Sequence, residues 1–196
     1  MPVKNLRQKK NEIRTRYKKL RENYPPDKKA AADRAIAEKL FELEEFKSCR
    51  LLLAFISKDI EVDTSAIITR SLELGKRVAV PRCNDDQKTI SYYYYNSRDN
   101  LEEGFYGLLE PNVSRCERVT DFSGGLCIVP GIVFDRDGYR IGFGKGYYDR
   151  FVYDFDGVTA GICYSKCMVP ELPRGYYDRP VNLVITDKYT LDIRNR

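Results

Sequence analysis

Residues 51–56 read L-L-L-A-F-I, six apolar side chains in a row with no polar position on either face of a strand. Strands of this kind are typical of the interior of parallel sheets, where helices cover both sides. Downstream, Asp63 or Thr64 can cap a helix over 65–74, which a glycine would end, and a strand at 77–81 follows. This stretch therefore predicts a β-α-β unit within a layered α/β fold.

The rest of the chain continues the alternation of helices and strands. Apolar residues at helical spacing, such as Ile13 and Tyr17, predict a first helix over 3–23 with one apolar stripe. Further helices are predicted over 27–47 and 147–153, further strands over 89–95, 126–134, 158–163 and 181–186, and a loop over 102–111. We expect a single α/β domain over residues 1–196, a three-layer α/β/α arrangement with a mostly parallel sheet and the N-terminal helix packed on it.

Composition excludes several classes of protein. The chain has 196 residues, 42% hydrophobic and 32% charged, so it can bury a sizeable core. No apolar run approaches the roughly 18 residues of a membrane span, and the charged N-terminus lacks the apolar core of a signal peptide. We therefore expect a cytoplasmic protein with no membrane partner. Six cysteines without a C-x-x-C pair, and no histidine, argue against a zinc site and exclude nucleophiles activated by histidine.

A glycine-rich segment follows the predicted strand 126–134. It reads G-Y-R-I-G-F-G-K-G-Y-Y-D-R over 138–150, with glycine at every second position from 142 to 146. Glycine allows positive φ and lets backbone N–H groups approach an anion closely. Lys145 and Arg140 add positive charge, and Asp149 could hold the metal that accompanies a nucleoside triphosphate. The segment predicts a phosphate cradle; the alternative is an ordinary turn between strand and helix.

The spacing of this segment excludes two common phosphate-binding motifs. A Walker A loop needs Ser or Thr after Lys145, where the chain has Gly146, and the third glycine of a dinucleotide fingerprint is also absent. The D-R-D-G sequence at 135–138 begins like a calcium loop. It lacks the third acidic position and the closing Glu, so it predicts a turn after the strand.

The positive charge of the chain is concentrated at its N-terminus. Residues 1–21 hold nine Lys or Arg against one Glu, a local charge of +8, whereas the remaining 25 basic and 28 acidic residues give −3. Such a segment can bind nucleic acid, can be a solvated helix face or can serve an anionic small ligand. Lys10 and Arg14 lie one helical turn apart beside the apolar stripe, whereas Lys9 and Arg16 point elsewhere. In an open α/β sheet, ligands bind beyond the carboxyl ends of strands, where the glycine loop and residues 56–61 are expected.

Several of these segments together resemble the 5-formyltetrahydrofolate cyclo-ligase family, also called 5,10-methenyltetrahydrofolate synthetases. The resemblance extends over nearly the whole chain. It rests on K-N-E-I-R at 10–14, the strand end at 56–61, G-x-x-G-x-x-E-P at 104–111 and P-G-I-V-F-D-R-D-G-Y-R-I-G-F-G-K-G-Y-Y-D-R at 130–150. It implies conversion of 5-formyltetrahydrofolate to 5,10-methenyltetrahydrofolate, with ATP as co-substrate, Mg²⁺ as cofactor and release of ADP and phosphate. We expect small-molecule substrates, no nucleic-acid partner and a monomer.

The resemblance also implies roles for individual residues. The implied ATP contacts are Lys10, Arg14, Arg140, Ile141, Gly142, Phe143, Gly144, Lys145, Gly146, Tyr147 and Tyr148, with Lys145 and Arg140 as catalytic residues. The implied folate contacts are Ile56, Glu61, Phe143 and Tyr147, and the carboxylate of Glu61 would accept hydrogen bonds from the donor-rich pterin edge. The implied magnesium ligands are Asp149 and Asn182.

Three positions depart from the family pattern, and two other functions fit parts of the sequence. Asn182 stands where an acidic residue is frequent, Cys167 where Gln is frequent, and Phe143 where some members have Arg. An RNA-binding module would use the basic helix and the tyrosine run 92–95, although such a run also suits an edge strand. A sugar-phosphate isomerase or acyl-CoA transferase of similar architecture would also need an anion cradle.

Overall fold

The computed structural model describes residues 3–84, 86–104, 107 and 109–195. The α-helices in these ranges are α1 (Val3–Glu22), α2 (Pro26–Glu42), α3 (Glu44–Ser48), α4 (Ser65–Glu73) and α5 (Tyr147–Asp154). The strands are β1 (Leu51–Leu53), β2 (Arg77–Asn84), β3 (Thr89–Tyr94), β4 (Leu101–Glu103), β5 (Leu109–Pro111), β6 (Gly125–Val129), β7 (Val133–Asp135), β8 (Arg140–Ile141), β9 (Val158–Ile162), β10 (Met168–Val169), β11 (Leu183–Ile185) and β12 (Thr190–Asp192). None of the helices in the described ranges is both long and apolar enough to cross a bilayer.

A seven-stranded sheet forms the centre of the fold, with the strand order β12-β11-β9-β6-β1-β2-β3. The apolar run predicted as a central strand lies at β1, which pairs in parallel with both β2 and β6. Only the outermost pairs, β2 with β3 and β11 with β12, are antiparallel within this sheet as described. The prediction of an α/β fold with a mostly parallel sheet is therefore confirmed. The first three tyrosines of the run 92–95 lie on edge strand β3, where Tyr92 is fully buried.

Two apolar clusters lie on opposite faces of the large sheet and make the fold three layers deep. On one face Ile36 and Leu40 of α2 and Ile67 of α4 pack on alternate residues of the central strands. On the other face the strands pack against α5 through Phe151 and Val152. Successive side chains of a buried strand point to opposite faces of the sheet, so each strand contributes to both clusters. Because both faces are covered, the sequence of these strands shows no polar face.

The structure corrects two predicted boundaries. The helix predicted over 27–47 is interrupted at Leu43, whose extended backbone (φ −66°, ψ 138°) separates α2 from α3. The strand predicted over 126–134 is two strands. The chain leaves the large sheet after Val129 and joins a second, smaller sheet at Val133. Pro130 has no N–H to continue the ladder, so the apolar run cannot remain one strand there.

The predicted loop 102–111 also differs from the structure. Its two ends form the antiparallel pair β4–β5, in which Leu101 faces Pro111 and Glu103 faces Leu109. Such three-residue strands carry no usable period-2 signal, so the sequence pattern did not reveal them. Residues 105, 106 and 108 of the predicted loop lie outside the described residues.

A small three-stranded sheet, β10-β7-β8, positions the glycine-rich segment. The predicted D-R-D-G turn is confirmed: the buried Asp135 carboxylate accepts the N–H groups of Asp137 and Tyr139 at 3.0 and 2.9 Å, and Gly138 has φ +82°. The turn reverses the chain from β7 into β8. Ile13 and Tyr17 of α1 pack against this sheet, so the basic helix is fixed beside the glycine loop.

Candidate active site

Residues 142–146 form the glycine loop, which connects β8 to the start of α5. Gly144 has φ +102° and Gly146, the residue before α5, has φ +72°. A Cβ at position 144 would lie 3.3 Å from the guanidinium of Arg14 as well as requiring a strained backbone. The loop therefore combines close approach of its backbone with the amino end of a helix, which together favour an anion.

Two cations of α1 lie against this loop and its surroundings. Arg14 Nε donates to the backbone oxygen of Gly142 at 2.7 Å, and burial lowers the pKa of this guanidinium, which stays charged at neutral pH. Lys10 forms an ion pair with Asp178. By contrast, Arg16 is exposed and its guanidinium lies 5.7 Å from the ring centre of Tyr17. The structure thus brings Lys10 and Arg14 to the loop side of α1, as their spacing predicted.

Arg140 and Asp149 form a half-buried ion pair at the base of the loop. Arg140 is 7% exposed, its Nη1 donates to the backbone oxygen of Arg179 at 2.8 Å, and its Nη2 lies 3.1 Å from Asp149 Oδ1 without the alignment of a hydrogen bond. The same carboxylate oxygen accepts the Arg179 N–H at 3.3 Å. These contacts connect β8, α5 and the loop 173–180 at one point.

The other side chains in and next to the loop differ in their exposure to solvent. Lys145 is exposed, Tyr147 is half-buried, and Phe143 is 42% exposed beneath the ammonium of Lys18, which lies 5.1 Å from its ring centre. Arg150 steadies the loop by donating to the backbone oxygens of Lys145 and Gly146 at 3.3 and 3.1 Å.

Ile141 and Tyr148 direct their side chains into the protein. Ile141 is 2% exposed and packs with Val133 and Leu172. The Tyr148 hydroxyl is buried on the α5 side of the large sheet, and this burial raises its pKa well above the ordinary value. A ligand in the loop would therefore meet these two residues through their backbones.

Ile56 and Glu61 belong to the segment that follows β1, at the carboxyl end of that strand. Ile56 is half-buried on the face of the sheet that α2 and α4 cover, and Glu61 is 6% exposed. The Glu61 carboxylate accepts the backbone N–H of Lys58 at 2.9 Å. Desolvation raises the pKa of this carboxyl, and the Lys58 N–H and the charge of Arg21 act against that rise.

Arg21 is a buried cation that the sequence reasoning did not identify. It is 4% exposed, its Nη2 donates to the backbone oxygen of Gly131 at 2.6 Å, and its Nη1 donates to that of Ile60 at 3.3 Å. The guanidinium also lies 5.4 Å from the ring centre of Tyr164. Arg21 therefore ties α1 to the segment that holds Glu61. Its position seven residues after Arg14, on the same helix face, was the available signal.

Asp178 and Arg179 were also missed. Asp178 pairs with Lys10 and accepts the Gly175 N–H at 2.5 Å, while Arg179 holds both Arg140 and Asp149 through its backbone. Their segment lacks glycine repeats or apolar periodicity, so only its place in the fold reveals its part in the site.

Asn182 lies immediately before β11, three residues beyond Arg179. Its side-chain oxygen accepts both the N–H and the hydroxyl of Thr159 at 2.8 Å. It is thus engaged in joining β9 to β11, and its role as a metal ligand stays a prediction. In the described part of the chain, no three His, Cys, Asp or Glu side chains gather as a ready-made metal site.

Comparisons with known proteins agree with this architecture. A family model described as "5-formyltetrahydrofolate cyclo-ligase family" matches residues 6–187. Relatives include a probable 5-formyltetrahydrofolate cyclo-ligase of Schizosaccharomyces pombe, 27% identical over 167 residues that cover 78% of this chain and 82% of the relative. The 5-formyltetrahydrofolate cyclo-ligase of Haemophilus influenzae is 25% identical over 180 residues, 89% of this chain and 95% of that protein.

A solved structure extends the agreement to three dimensions. The NMR structure of Aquifex aeolicus 5,10-methenyltetrahydrofolate synthetase superposes with a TM-score of 0.82 and 31% sequence identity, covering 94% of this chain and 93% of that chain. The family match spans all the segments that meet at the glycine loop. The chain belongs to the 5-formyltetrahydrofolate cyclo-ligase family.

Proposed function

We propose that this protein catalyses the ATP-dependent cyclisation of 5-formyltetrahydrofolate to 5,10-methenyltetrahydrofolate. The observation that carries the proposal is the convergence of Arg14 and the Arg140–Asp149 pair on one glycine loop, with helix α1 also contacting, through Arg21, the segment that holds Glu61. A phosphate cradle and a buried carboxylate reached by the same helix suit an enzyme that transfers a phosphoryl group from a nucleotide to a donor-rich heterocycle.

The reaction needs ATP because the oxygen of a formamide is a poor leaving group. Transfer of the γ-phosphoryl group to the formyl oxygen breaks the bond to the β-phosphate, releases ADP and activates the formyl carbon. The nitrogen at position 10 then attacks that carbon and forms the new C–N bond. Loss of its proton and departure of phosphate, which carries away the formyl oxygen, leave the methenyl bridge. Neither step needs a nucleophile from the protein, so the absence of histidine is no obstacle.

The chain's own residues supply positioning and charge for this transfer. Gly142, Gly144 and Gly146 present backbone N–H groups, while Arg14 and Lys145 neutralise phosphate oxygens. Arg140 holds the base of the loop through its contacts with Asp149 and the backbone oxygen of Arg179. Charge neutralisation by preorganised groups is the main contribution a protein makes to phosphoryl transfer.

The residues at the base of the loop also fit Mg²⁺. This ion usually binds through one or two carboxylates together with substrate phosphates and water, so it does not require a protein cage of three acidic groups. Asp149 is 27% exposed at its side chain and lies at the amino end of α5, next to the cradle. We propose Asp149 as the principal ligand. The bound ion would neutralise charge on the phosphates.

The proposed activity is tested by an absorbance assay for the methenyl product. The protein is incubated with 5-formyltetrahydrofolate and Mg²⁺, with and without ATP, and ADP is measured in parallel. We expect product only when ATP is present, and ADP in equal amount. Product formed without ATP, or no product at all, would refute the proposal. ATP hydrolysis without a folate product would favour another phosphate-binding enzyme.

Arg14→Ala should raise the KM for ATP about 10- to 100-fold, because a charge-assisted contact to phosphate is worth roughly 1.5–3 kcal/mol. The matched control is Arg16→Ala, which removes the same charge from the exposed face of α1. Steady-state kinetics with varied ATP measures both. Equal small effects from the two variants would show that only the overall charge of the helix matters.

Glu61→Gln should weaken folate binding by about 1–3 kcal/mol, because one acceptor oxygen becomes an amide donor that opposes the N–H groups of the pterin. ATP binding should change little, since the nucleotide site is built from other segments. Calorimetry on both ligands provides the measurement. An equal loss of the two affinities, or no loss of either, would show that Glu61 does not bind the folate.

The stability of the same variant should depend on pH in a defined direction. The pKa of Glu61 is raised by burial, so the free energy of unfolding falls as pH rises from its unfolded pKa, about 4.3, through the higher folded pKa. The amide that replaces this carboxyl cannot ionise, so Glu61→Gln should gain stability relative to the wild type above this window. Urea unfolding at pH 4 and pH 7 tests this, and a relative loss at pH 7 would contradict it.

A further inference from the structure

Arg21 places a positive charge inside the protein, at the edge where the parallel strands of the large sheet end. The residue is 4% exposed, and its guanidinium donates to the backbone oxygens of Gly131 at 2.6 Å and Ile60 at 3.3 Å. Gly131 follows β6 and Ile60 follows β1, and these two strands are parallel neighbours. Arg21 therefore joins two segments that leave the carboxyl ends of adjacent strands.

These contacts satisfy hydrogen-bond donors of Arg21 but do not neutralise its charge. Backbone oxygens carry no net charge, and neither does the ring of Tyr164, whose centre lies 5.4 Å from the guanidinium. The Nε of Arg21 is buried and has no hydrogen-bond partner among the residues that the structure describes. A buried charge is costly unless an opposite charge lies near it. The position of Arg21 therefore calls for an anion close by.

Glu61, the residue after Ile60, supplies that anion. Its carboxylate is held within its own segment, where it accepts the Lys58 N–H at 2.9 Å. Its backbone oxygen lies 3.0 Å from the Tyr164 hydroxyl, which is also 2.8 Å from Asp33 Oδ1. Contacts with Arg21 at residue 60 and with Tyr164 at residue 61 thus fix the backbone on which this carboxylate is mounted.

The charge of the Glu61 carboxylate depends on the groups around it. Desolvation raises the pKa of Glu61, whereas the Lys58 N–H and the charges of Arg21 and Lys58 lower it. Lys58 is exposed, so solvent screens its charge far more than that of the buried Arg21. Burial also raises the pKa of the Tyr148 hydroxyl, and the charge of Glu61 adds to that rise, so Tyr148 stays neutral. Arg21 is therefore the buried charge that opposes protonation of Glu61.

Resting on the proposed function, we propose that Arg21 is a positioning residue that fixes the Glu61 segment and keeps the Glu61 carboxylate an anion. An ionised carboxylate has only acceptors, which suit the N–H donors of the pterin edge, whereas a protonated carboxyl would place a donor there. Arg21 acts on the folate through Glu61 and does not itself need to touch the ligand.

The first test measures folate affinity against pH without ATP. Wild type and Arg21→Gln are titrated calorimetrically with 5-formyltetrahydrofolate between pH 5 and 8.5. Affinity should fall as the pH is lowered and Glu61 takes up a proton, and in Arg21→Gln this fall should occur about one pH unit higher, because an opposite charge has been removed. Below both midpoints the variant should bind about tenfold more weakly, and the difference should shrink as the pH rises.

The matched control is Arg16→Gln, which removes the same charge from the exposed face of α1 and should change neither affinity nor midpoint. Arg21→Lys keeps the charge but cannot hold two backbone oxygens with one planar fork. It should weaken binding by a similar factor at every pH, with the wild-type midpoint. Arg21→Met, of similar length and without polar atoms, takes the place of Arg21→Gln if the latter does not fold.

Three results would overturn the proposal. They are an unchanged midpoint in the variants that lack the charge at position 21, an equal shift in Arg16→Gln, and wild-type affinity in Arg21→Lys. The last would show that the backbone contacts of Arg21 have no part in binding.

NMR separates this proposal from the proposed function, because it needs neither folate nor turnover. In protein labelled with ¹³C-glutamate, the side-chain carboxyl signal of Glu61 is the one missing from Glu61→Gln. Its titration midpoint should lie about one pH unit higher in Arg21→Gln than in the wild type and should not move in Arg16→Gln. No movement in Arg21→Gln overturns the proposal. A shifted midpoint without folate binding at any pH supports the action of Arg21 on Glu61 and refutes only the proposed function.

Discussion

Lys145→Ala should lower kcat by about 10²-fold or more at saturating ATP, because it removes a positive charge that stabilises the transferring phosphoryl group. Lys145 is exposed in a loop whose path is set by Gly144, Gly146 and the contacts of Arg150. The fold should therefore survive the change, and the thermal midpoint should stay within a few degrees of the wild type. The initial rate of methenyl product formation, measured at saturating ATP and folate, gives kcat directly.

The control for Lys145 is Lys47→Ala. Lys47 is an exposed lysine of α3 at the amino end of β1, the edge of the sheet opposite the site. Its removal should leave kcat unchanged, whereas Lys145→Arg should retain part of the activity. A near-normal kcat for a folded Lys145→Ala would reduce Lys145 to a turn residue.

Arg140→Ala should cause the largest combined loss, below about 1% of wild-type activity together with a decrease of about 3 kcal/mol in unfolding free energy. Removing one partner of a largely buried ion pair leaves the other charge uncompensated. The substitution also leaves the backbone oxygen of Arg179 without the hydrogen bond that Arg140 donates at 2.8 Å. Because Asp149 is 27% exposed, water compensates part of the loss, and the estimate stays at the lower end of the range.

Arg140→Lys separates stability from activity at this position. Lysine keeps the charge near Asp149 but cannot reach Asp149 and the Arg179 oxygen with one planar fork. We expect urea unfolding to show most of the stability restored while kcat/KM stays at least tenfold low. Wild-type activity in Arg140→Lys would show that the fork geometry has no part in the reaction.

The sequence predicted those features of the fold and the site that arise from local pattern. The apolar run at 51–56 predicted a central strand, and the D-R-D-G turn followed from Asp and Gly chemistry alone. The orientation of Lys10 and Arg14 followed from helical spacing. In each case neighbours in sequence determine the geometry.

The parts that sequence reasoning missed depend on contacts between distant segments. The break at Pro130 was missed for a different reason, because the strand prediction ran through a proline and a glycine that interrupt the apolar run. Arg21 contacts residues 39 and 110 positions away, and Arg179 reaches Asp149 across 30. The spacing of seven residues places Arg21 on the helix face of Arg14, but no local pattern says which distant residues Arg21 or Arg179 contacts.

We expect the formyl oxygen to be phosphorylated in the cradle of residues 140–149. This step is tested most directly with 5-formyltetrahydrofolate labelled with ¹⁸O in the formyl group. After turnover with ATP and Mg²⁺, mass spectrometry of the released phosphate should show one ¹⁸O per methenyl product, because the oxygen leaves with the phosphoryl group. Unlabelled phosphate with the label in water would contradict the account.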